Sequence, residues 1–384
     1  MMSKAAIGAS EPLVSVIVPV YNRETVLKTC LDSLATQTLT DIEIIVVNDA
    51  STDGSGKIME GYAATDSRFR VLENSENQNS FETRRRGFAA ARGAYIATCD
   101  SDDFMPSGAL EQLYETAQKT KADIVHGRMD QLIGKRLWRL HWVSPFKVST
   151  GRSFVESLLR FSRAWNVCGK LYHQSVIEKA LTELPVNKRL FLADDLLFSF
   201  FFGLKAGRYV GSPETVYCYR FNKGNHFSQP EKWPLYIADH FDVLAIMRTR
   251  LEKKDLPAEY DPLLKGLIKK TVREVFQNLP AGADFALARS LITERLGKSY
   301  LMDIYGQGFS LSPFGDDFEP AGKTVKSSGI FPASICRRIL FILIQLWRAG
   351  GYEATILFRH MLILIRRNGW KYALEKLWHK SLFS

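Results

Sequence analysis

The sequence predicts an α/β fold in which helices flank a mostly parallel sheet, with a helical C-terminal extension. β-branched runs such as 14–20 are apolar at nearly every position, which is typical of strands buried on both faces. Helical patterns alternate with these runs, and such alternation favours parallel strands joined by crossover helices. Polar clusters follow the strands at 21–23, 48–53 and 100–103. Parallel sheets bind ligands at the carboxyl ends of their strands, so these clusters mark the expected site.

The elements follow in a simple order along the chain. We predict strands at 14–20, 42–47, 69–72, 95–99 and 123–128, and helices at 24–36, 55–64, 82–92 and from Pro106 to about Lys119. A hairpin near Gly134 precedes helices at 152–161, 173–183 and 194–205. The predicted divisions are a main domain at 1–230, a helical extension at 231–304, a linker or long loop at 305–330 and a basic amphipathic helical tail at 331–384.

Charge and cysteine usage exclude several classes of protein. The 384-residue chain has a net charge of +10, but residues 331–384 alone carry +7. A nucleic-acid-binding protein more often spreads its basic residues over the folded domain. Five scattered cysteines without a CxxC pair argue against a disulfide scaffold or a zinc finger and suit a reducing cytosol. We expect neither a secretory signal nor a membrane span, because no apolar run of about 18 residues occurs.

The acidic turn Asp100-Ser101-Asp102-Asp103 carries the strongest chemical signal. Three carboxylates within four residues repel one another unless a cation neutralises them. Hard oxygen ligands favour Mg²⁺ or Mn²⁺, which typically keep bound waters and bridge to phosphates. The alternative is a solvated acidic turn that caps the helix after Pro106.

Two other strand ends carry groups that suit a nucleotide. Asp49 follows the second strand, where its carboxylate can accept hydrogen bonds from a base or ribose, and Tyr21 and Asn22 follow the first strand. Each group has a structural alternative, with Asn22 as the N-cap of the next helix and Asp49 as a turn former. Together the three strand ends indicate one crevice.

Four ordered segments resemble family 2 of the glycosyltransferases. They are VSVIVPVYN at 14–22, DIEIIVVNDASTDGS at 41–55, RGFAAARGAYIATCDSDD at 86–103 and the later pair Asp194-Asp195. The resemblance covers about residues 13–230. It implies the A-type nucleotide-diphospho-sugar-binding fold, a divalent metal, and transfer of one sugar with inversion of the anomeric centre.

The resemblance also implies roles for individual residues. Those expected to bind the donor nucleotide or its phosphates are Pro19, Tyr21, Asn22, Asp49, Arg84, Asp100 and Arg220. Asp102 is the expected metal ligand, Asp100 faces the ribose or the metal, and His226 is a further candidate on the phosphates or the metal. A lone loop histidine is alternatively a plain exposed residue. Asp103 ranks below Asp102 as a ligand.

One segment departs from the family pattern. The family usually has Ala-Arg-Asn ahead of a glycine, whereas this chain has Thr83-Arg84-Arg85-Arg86-Gly87. Arg84 keeps the arginine that approaches the donor. At most two adjacent arginines can reach one site, so Arg85 and Arg86 alternatively form a solvated helix face.

An inverting transfer needs a general base, and the resemblance places Asp195 in that role with Asp194 beside it. Both acids begin an apolar run, so stabilisation by a helix N-terminus is the structural alternative. Trp165 and Lys170 are candidates for lining the acceptor cleft, although a tryptophan is more often part of a core.

The resemblance implies a metal-dependent inverting glycosyltransferase that uses a nucleotide-diphospho-sugar, with UDP as the carrier usual in the family, and the cysteine usage suits a cytosolic location. The expected acceptor is a saccharide or glycolipid of a surface polysaccharide pathway. Apolar faces, aromatics and the +7 charge of the tail suit helices on an anionic membrane surface. Alternatively the tail packs on the main domain or a second subunit, as in a homo-oligomer. The other functional classes are a silent carbohydrate-binding or scaffold protein and a sugar-phosphate nucleotidyltransferase.

Overall fold

A computed structural model describes residues 11–133, 136–140, 147–160, 165–220, 230–253, 255–279 and 283–306. All of them belong to the first of the two units into which the chain divides, Met1–Phe309. That unit contains both the predicted main domain and the predicted helical extension. The tail at 331–384, nearly all of the linker at 305–330, the turn at Gly134 and His226 lie outside the described residues.

One sheet forms the centre of the described structure. Its nine strands are β1 (Val14–Val20), β2 (Ile42–Asn48), β3 (Phe69–Glu73), β4 (Tyr95–Thr98), β5 (Ile124–Ile133), β6 (Arg136–Leu140), β7 (Val148–Thr150), β8 (Lys170–His173) and β9 (Arg208–Arg220). The strand order is β3-β2-β1-β4-β8-β5-β9-β7, with β6 paired to β5. Every residue of β2 is buried, the polar Glu43 and Asn48 included, and the apolar run between them is typical of a strand covered on both faces.

The sheet is parallel in one half and mixed in the other. β1, β2, β3 and β4 pair in parallel, which confirms the prediction from alternating strands and helices. β8 then enters between β4 and β5 and is antiparallel to both. The sheet as a whole is therefore mixed rather than mostly parallel. The four-residue strand β8 is too short for its pattern to be distinguished from a loop in the sequence.

Eleven helices are described around this sheet. They are α1 (Leu27–Ala35), α2 (Ser55–Thr65), α3 (Asn79–Ala90), α4 (Ala109–Thr120), α5 (Gly151–Leu159), α6 (Gln174–Leu181), α7 (Asp194–Lys205), α8 (Trp233–Leu251), α9 (Tyr260–Asn278), α10 (Phe285–Leu296) and α11 (Lys298–Tyr305). The predicted bounds of α7 agree with the structure, whereas α1 begins three residues later and α3 three residues earlier than predicted. Among these helices none has the length and apolar character needed to cross a bilayer.

The helical extension packs against the main domain. Helix α8 contacts α7, α9 and α10, and α9 contacts α5. α7 is the most apolar of the helices involved, and Phe198, Phe200, Phe201 and Phe202 are all buried. Since α7 begins with the acidic pair Asp194-Asp195, the extension lies against the helix that carries the predicted base.

Candidate active site

The loops that follow β1 and β2 are joined by the side chain of Asn22. Its side-chain Oδ1 accepts a hydrogen bond from the Thr52 backbone amide at 2.8 Å, and the backbone amide of Asn22 donates to Ser51 Oγ at 3.1 Å. Asn22 adopts a left-handed backbone conformation with φ of 51°, which asparagine tolerates better than most residues. It does not cap α1, whose N-cap residue is Val26. Asn22 therefore shapes the crevice by holding two strand ends together.

Asp49 is buried at the end of β2 and orders the loop that follows β3. Its Oδ1 accepts hydrogen bonds from Asn74 Nδ2 and from the Gln78 amide, both at 2.7 Å. Within the described residues, the hydrogen bonds to this carboxylate are accepted by Oδ1. Tyr21 is 44% exposed beside it, which leaves its ring accessible for stacking. Pro19 lies one strand position before Val20 in β1. The turn-forming role of Asp49 and the predicted contact with a base are thus compatible.

Arg84 is buried between the two acidic motifs. Its guanidinium donates to Asp194 Oδ2 and to Asp100 Oδ1, the latter at 2.5 Å, and lies 3.8 Å from Asp195 Oδ1. Burial by itself would lower the pKa of Arg84, but the carboxylates of Asp100, Asp194 and Asp195 raise it well above its usual value. Arg84 is therefore the cation that these three acids share, with Asp194 buried and Asp100 and Asp195 partly exposed.

The two arginines that follow Arg84 point to other partners. Arg85 forms an ion pair with Glu82, one turn earlier in the same helix, at 2.5 Å. Arg86 donates to Asn74 Oδ1 at 2.5 Å and to the Glu73 carbonyl. Asn74 in turn bonds Asp49, so Arg86 supports the loop at the predicted nucleotide pocket. Arg85 is half-buried and Arg86 is exposed, so Arg86 lies on the solvated face as the alternative expects and also has protein partners.

Like Asp100, whose side chain is 31% exposed, Asp102 keeps part of its side chain in contact with solvent. Its side chain is 27% exposed and lies 3.9 Å from Arg23 Nε. Burial and the neighbouring Asp100 raise the pKa of Asp102, while Arg23 and Arg220 lower it. A partly exposed carboxylate that lies 3.9 Å from Arg23 can still act as a ligand of a divalent cation.

The described residues alone do not enclose a metal ion at Asp102. Within the described part of the chain, no group of three or more His, Cys, Asp or Glu side chains is arranged to hold a metal ion. Mg²⁺ and Mn²⁺ sites in proteins commonly consist of one or two carboxylates completed by water and substrate phosphates. The residues present therefore fit a cation shared with a diphosphate, not an independent metal cage.

Asp103 connects the acidic turn to strand β9 by hydrogen bonds. It is buried, with Oδ2 accepting from the Tyr217 hydroxyl at 2.7 Å and Oδ1 accepting from the Arg220 amide at 2.7 Å. The Tyr217 hydroxyl also accepts from the Asp100 amide at 3.1 Å. Burial, Asp100 and Asp102 raise the pKa of Asp103 well above its usual value. Asp103 therefore joins the acidic turn to β9 and does not cap α4, whose N-cap residue is Gly108.

Asp194 and Asp195 form the first turn of α7 and have different surroundings. Asp194 is buried and bonded to Arg84, whereas the Asp195 side chain is 36% exposed. Burial, Asp194 and Asp100 raise the pKa of Asp195 to about 7, against the lowering effect of Arg84 and Lys170. A carboxylate with this pKa is suited to accept a proton near neutral pH.

The segment before β8 supports α7. Ser199 in α7 donates to the Trp165 carbonyl at 2.7 Å, and the buried Lys170 ammonium donates to the Asn166 carbonyl. The charge of Lys170 lowers the pKa of Asp195, which places the lysine near the predicted base. Trp165 thus contacts α7 and Lys170 contacts Asn166 of the same segment, and the contact of either residue with an acceptor stays a prediction.

Three residues of this site were missed in the sequence analysis, namely Arg23, Asn74 and Tyr217. Arg23 follows Tyr21 and Asn22 directly, so its position after a buried strand was a usable signal. Asn74 and Tyr217 reach the site through strand register and loop packing, for which a single sequence carries no local pattern.

Residues 15–183 match the model of the family described as glycosyl transferase family 2. The matched segment contains the three strand ends, Arg84 and the acidic turn whose geometry is given above. This region is a family 2 glycosyltransferase domain. Asp194, Asp195 and the helical extension follow the matched segment in sequence.

Two curated relatives and one solved structure are similar to this chain. An uncharacterized glycosyltransferase, EpsJ, of Bacillus subtilis (strain 168) is 36% identical over 225 residues, which are 58% of this chain and 64% of that protein. A poly(ribitol-phosphate) beta-glucosyltransferase of Bacillus spizizenii is 30% identical over 220 residues, covering 56% of this chain and 33% of that protein. The chain thus spans less than two thirds of the length of either relative.

The solved structure supports the A-type fold of the glycosyltransferase domain. S. aureus TarS 1-349, crystallised in complex with UDP-GlcNAc, is 21% identical, with a TM-score of 0.50 over 76% of this chain and 89% of that one. At this identity the likeness concerns the fold alone. The predicted fold class is confirmed.

Replacing Arg84 tests its role as the shared cation. We expect Arg84→Met to reduce the free energy of unfolding by about 3–5 kcal/mol, because the buried Asp194 loses its partner. Arg85→Met is the matched control, since its pair with Glu82 is more exposed and is worth about 1 kcal/mol. The change in the free energy of unfolding of each variant is to be measured by urea unfolding at pH 7.5. Equal losses for the two variants would contradict the assignment, as would failure of Asp194→Asn to restore stability in the Arg84→Met background.

Proposed function

We propose that this protein is a metal-dependent inverting glycosyltransferase that moves a sugar from a nucleotide-diphospho-sugar to a saccharide or lipid-linked acceptor. The observation that carries the proposal is the Arg84 cluster. Arg84 joins the end of β4, where the acidic turn begins, to the start of α7, where the half-exposed Asp195 lies. A leaving-group site and a base are therefore held together at one edge of the sheet.

The chemistry assigned to Asp195 is proton acceptance. Its carboxylate takes the proton of the acceptor hydroxyl as that oxygen attacks the anomeric carbon of the donor sugar. The bond between the anomeric carbon and the diphosphate oxygen breaks on the opposite face, which inverts the anomeric centre. The nucleoside diphosphate leaves with the bonding electron pair.

The donor site is assigned to the strand ends. Asp49 and Tyr21 hold the base, and the exposed side of Asp102, with Asp100, holds Mn²⁺ or Mg²⁺ when it is bound. Such a cation supplies Lewis-acid stabilisation of the departing diphosphate. Arg23 and Arg220 contribute positive charge next to Asp102, which lowers the pKa of that carboxyl and suits binding of an anionic donor. UDP is the proposed carrier.

The acceptor is proposed to be a growing surface polysaccharide or a glycolipid. The similarity to a poly(ribitol-phosphate) beta-glucosyltransferase supports a polymer as acceptor, since the name of that relative specifies poly(ribitol-phosphate). A catalytically silent carbohydrate-binding protein is the competing function. Asp102 and Asp195, the two acids that such a protein has no need to retain, are both present.

Nucleotide titration tests the donor site. We expect one of UDP, GDP and dTDP to bind in the presence of Mn²⁺ and to lose at least tenfold in affinity with EDTA. Asp102→Ala should lose the metal-dependent part of binding because it removes the exposed ligand. Asp66→Ala is the control, since Asp66 lies ahead of β3 at the opposite edge of the sheet. If none of the three nucleotides binds to folded protein, the silent binding module is the better description.

The pH dependence of turnover tests the base. With water as acceptor, release of UDP from UDP-glucose or UDP-N-acetylglucosamine should show kcat/KM rising about tenfold per pH unit below pH 7 and levelling above it, because only ionised Asp195 accepts a proton. Asp195→Asn should lower kcat by about a thousandfold.

The same substitution has an expected effect on stability. The pKa of Asp195 in the folded protein lies above the ordinary carboxyl value, so its ionisation costs folding stability as the pH rises towards and through 7. Asp195→Asn should therefore keep or raise the Tm at pH 8 while removing activity. An active Asp195→Asn enzyme, or an acid limb centred near pH 4, would refute the assignment.

We also propose that the protein is cytosolic and binds the membrane surface through residues 331–384, whose composition is basic and apolar. Co-sedimentation with vesicles should be strong when they contain phosphatidylglycerol and weak with phosphatidylcholine alone. Replacing Arg337, Arg338, Arg366 and Arg367 by Gln should abolish the difference, whereas Lys269→Gln with Lys270→Gln in α9 should not. Equal binding to both vesicle types would count against the proposal.

A further inference from the structure

The segment before the acidic pair is held by the helical extension. Asp239 in α8 is 3% exposed, and its Oδ2 accepts hydrogen bonds from two successive backbone amides, Phe191 at 2.8 Å and Leu192 at 2.9 Å. A buried carboxylate with two amide donors is a strong, directional anchor for a loop. Asp194 follows this anchored dipeptide after a single residue.

A second acid of α8 holds the start of the same segment. Asp242 lies one turn after Asp239 and accepts from Lys188 Nζ at 2.8 Å. Arg295 Nε of α10 lies 3.4 Å from the same carboxylate. Helix α8 therefore contacts the segment 188–192 at both ends, and α10 supports that contact.

Ala193 connects the anchored segment to the acidic pair in an unfavourable conformation. Its φ is 61°, in the left-handed region, where an alanine costs about 1–2 kcal/mol. Such a conformation persists only where the surrounding structure enforces it. On one side of Ala193 the constraint is the bond to Asp239, and on the other it is the ion pair of Asp194 with Arg84.

We infer that Asp239 is a positioning residue for Asp195, so that the helical extension is part of the catalytic apparatus. Fixing Phe191 and Leu192 fixes the peptide at Ala193, and this sets the direction in which the first turn of α7 presents Asp195. The family model ends at residue 183, so the match covers neither α7 nor α8. The inference rests on the proposed base role of Asp195.

Loss of Asp239 should affect turnover more than donor binding. A misplacement of about 1 Å at a reacting group can cost about a hundredfold in rate. The proposed donor site at Asp49 and Asp102 makes no described contact with Asp239. Arg189 and Leu190 of the anchored segment do contact Glu76 and Ser80, but the bonds of Asn74 and Gln78 to Asp49 do not depend on Asp239. The predicted signature is therefore a fall in kcat at unchanged donor affinity.

The test compares three variants by UDP release from the UDP-sugar that wild type hydrolyses, with water as acceptor. We expect Asp239→Ala to lower kcat about a hundredfold and to leave the Kd for Mn²⁺-UDP within about twofold. Asp239→Asn keeps a side-chain oxygen that can accept from the two amides, so it should stay within about tenfold of wild type. Arg250→Gln is the control, because Arg250 is also buried on α8 but pairs with Glu183 and Asp255.

Hydrogen exchange provides a readout that does not depend on activity. Amides of residues 190–196 should exchange faster in Asp239→Ala than in Arg250→Gln, because only the first variant frees the segment. The inference is overturned if Asp239→Ala keeps wild-type kcat. It is also overturned if kcat and UDP binding fall together in both α8 variants, since that pattern reflects general destabilisation.

The failure of the proposed function has a different signature. If Asp195→Asn turns over as fast as wild type, the base assignment fails, and the inference that depends on it fails with it. The exchange rates would then still report whether Asp239 holds the segment. If Asp195→Asn is inactive while Asp239→Ala is fully active, only the positioning role is refuted.

Discussion

The buried guanidinium of Arg84 is the interaction on which the rest of the site depends. It lies on α3 and binds acids that follow β4 and begin α7, which are far apart in sequence. Asp194 is buried, and a buried carboxylate does not remain ionised without a cation beside it. Because a planar guanidinium binds two carboxylates in fixed directions, it also sets the geometry between the acidic turn and the base helix.

The remaining acids divide into two groups according to their partners. Asp103 and Asp239 are buried, and each accepts two hydrogen bonds that fasten one segment to another. Asp102 and Asp195 retain exposed surface, and neither has a close protein cation that neutralises it fully. Asp103 and Asp239 hold the segments of the site together. Asp102 and Asp195 keep negative charge that a bound cation or a proton can neutralise. The carboxylates proposed to react are thus positioned by segments that fully hydrogen-bonded carboxylates hold in place.

Much of the fold could be predicted because its signal is local. The predicted strands β1 and β2 and the predicted bounds of α7 agree with the structure. Burial on both faces and helical periodicity are visible as patterns of neighbouring residues, so they can be recognised in a single sequence. The insertion of β8 between β4 and β5 could not be predicted, because the pairing of a four-residue strand depends on partners far away in the chain. The same limit applies to the different fates of three consecutive arginines, which look alike in sequence.

The sequence by itself determined which chemical groups stand at the strand ends, because the order of strands and polar turns places Tyr21, Asp49 and Asp102 there. It also marked Asp194 and Asp195 as acids at the start of an apolar helix. Only the tertiary structure decided which of these carboxylates are buried with protein partners and which are accessible to a ligand or a proton. That distinction depends on burial and on the nearest opposite charge, and both are set by residues such as Arg84 and Tyr217 that approach from distant parts of the chain.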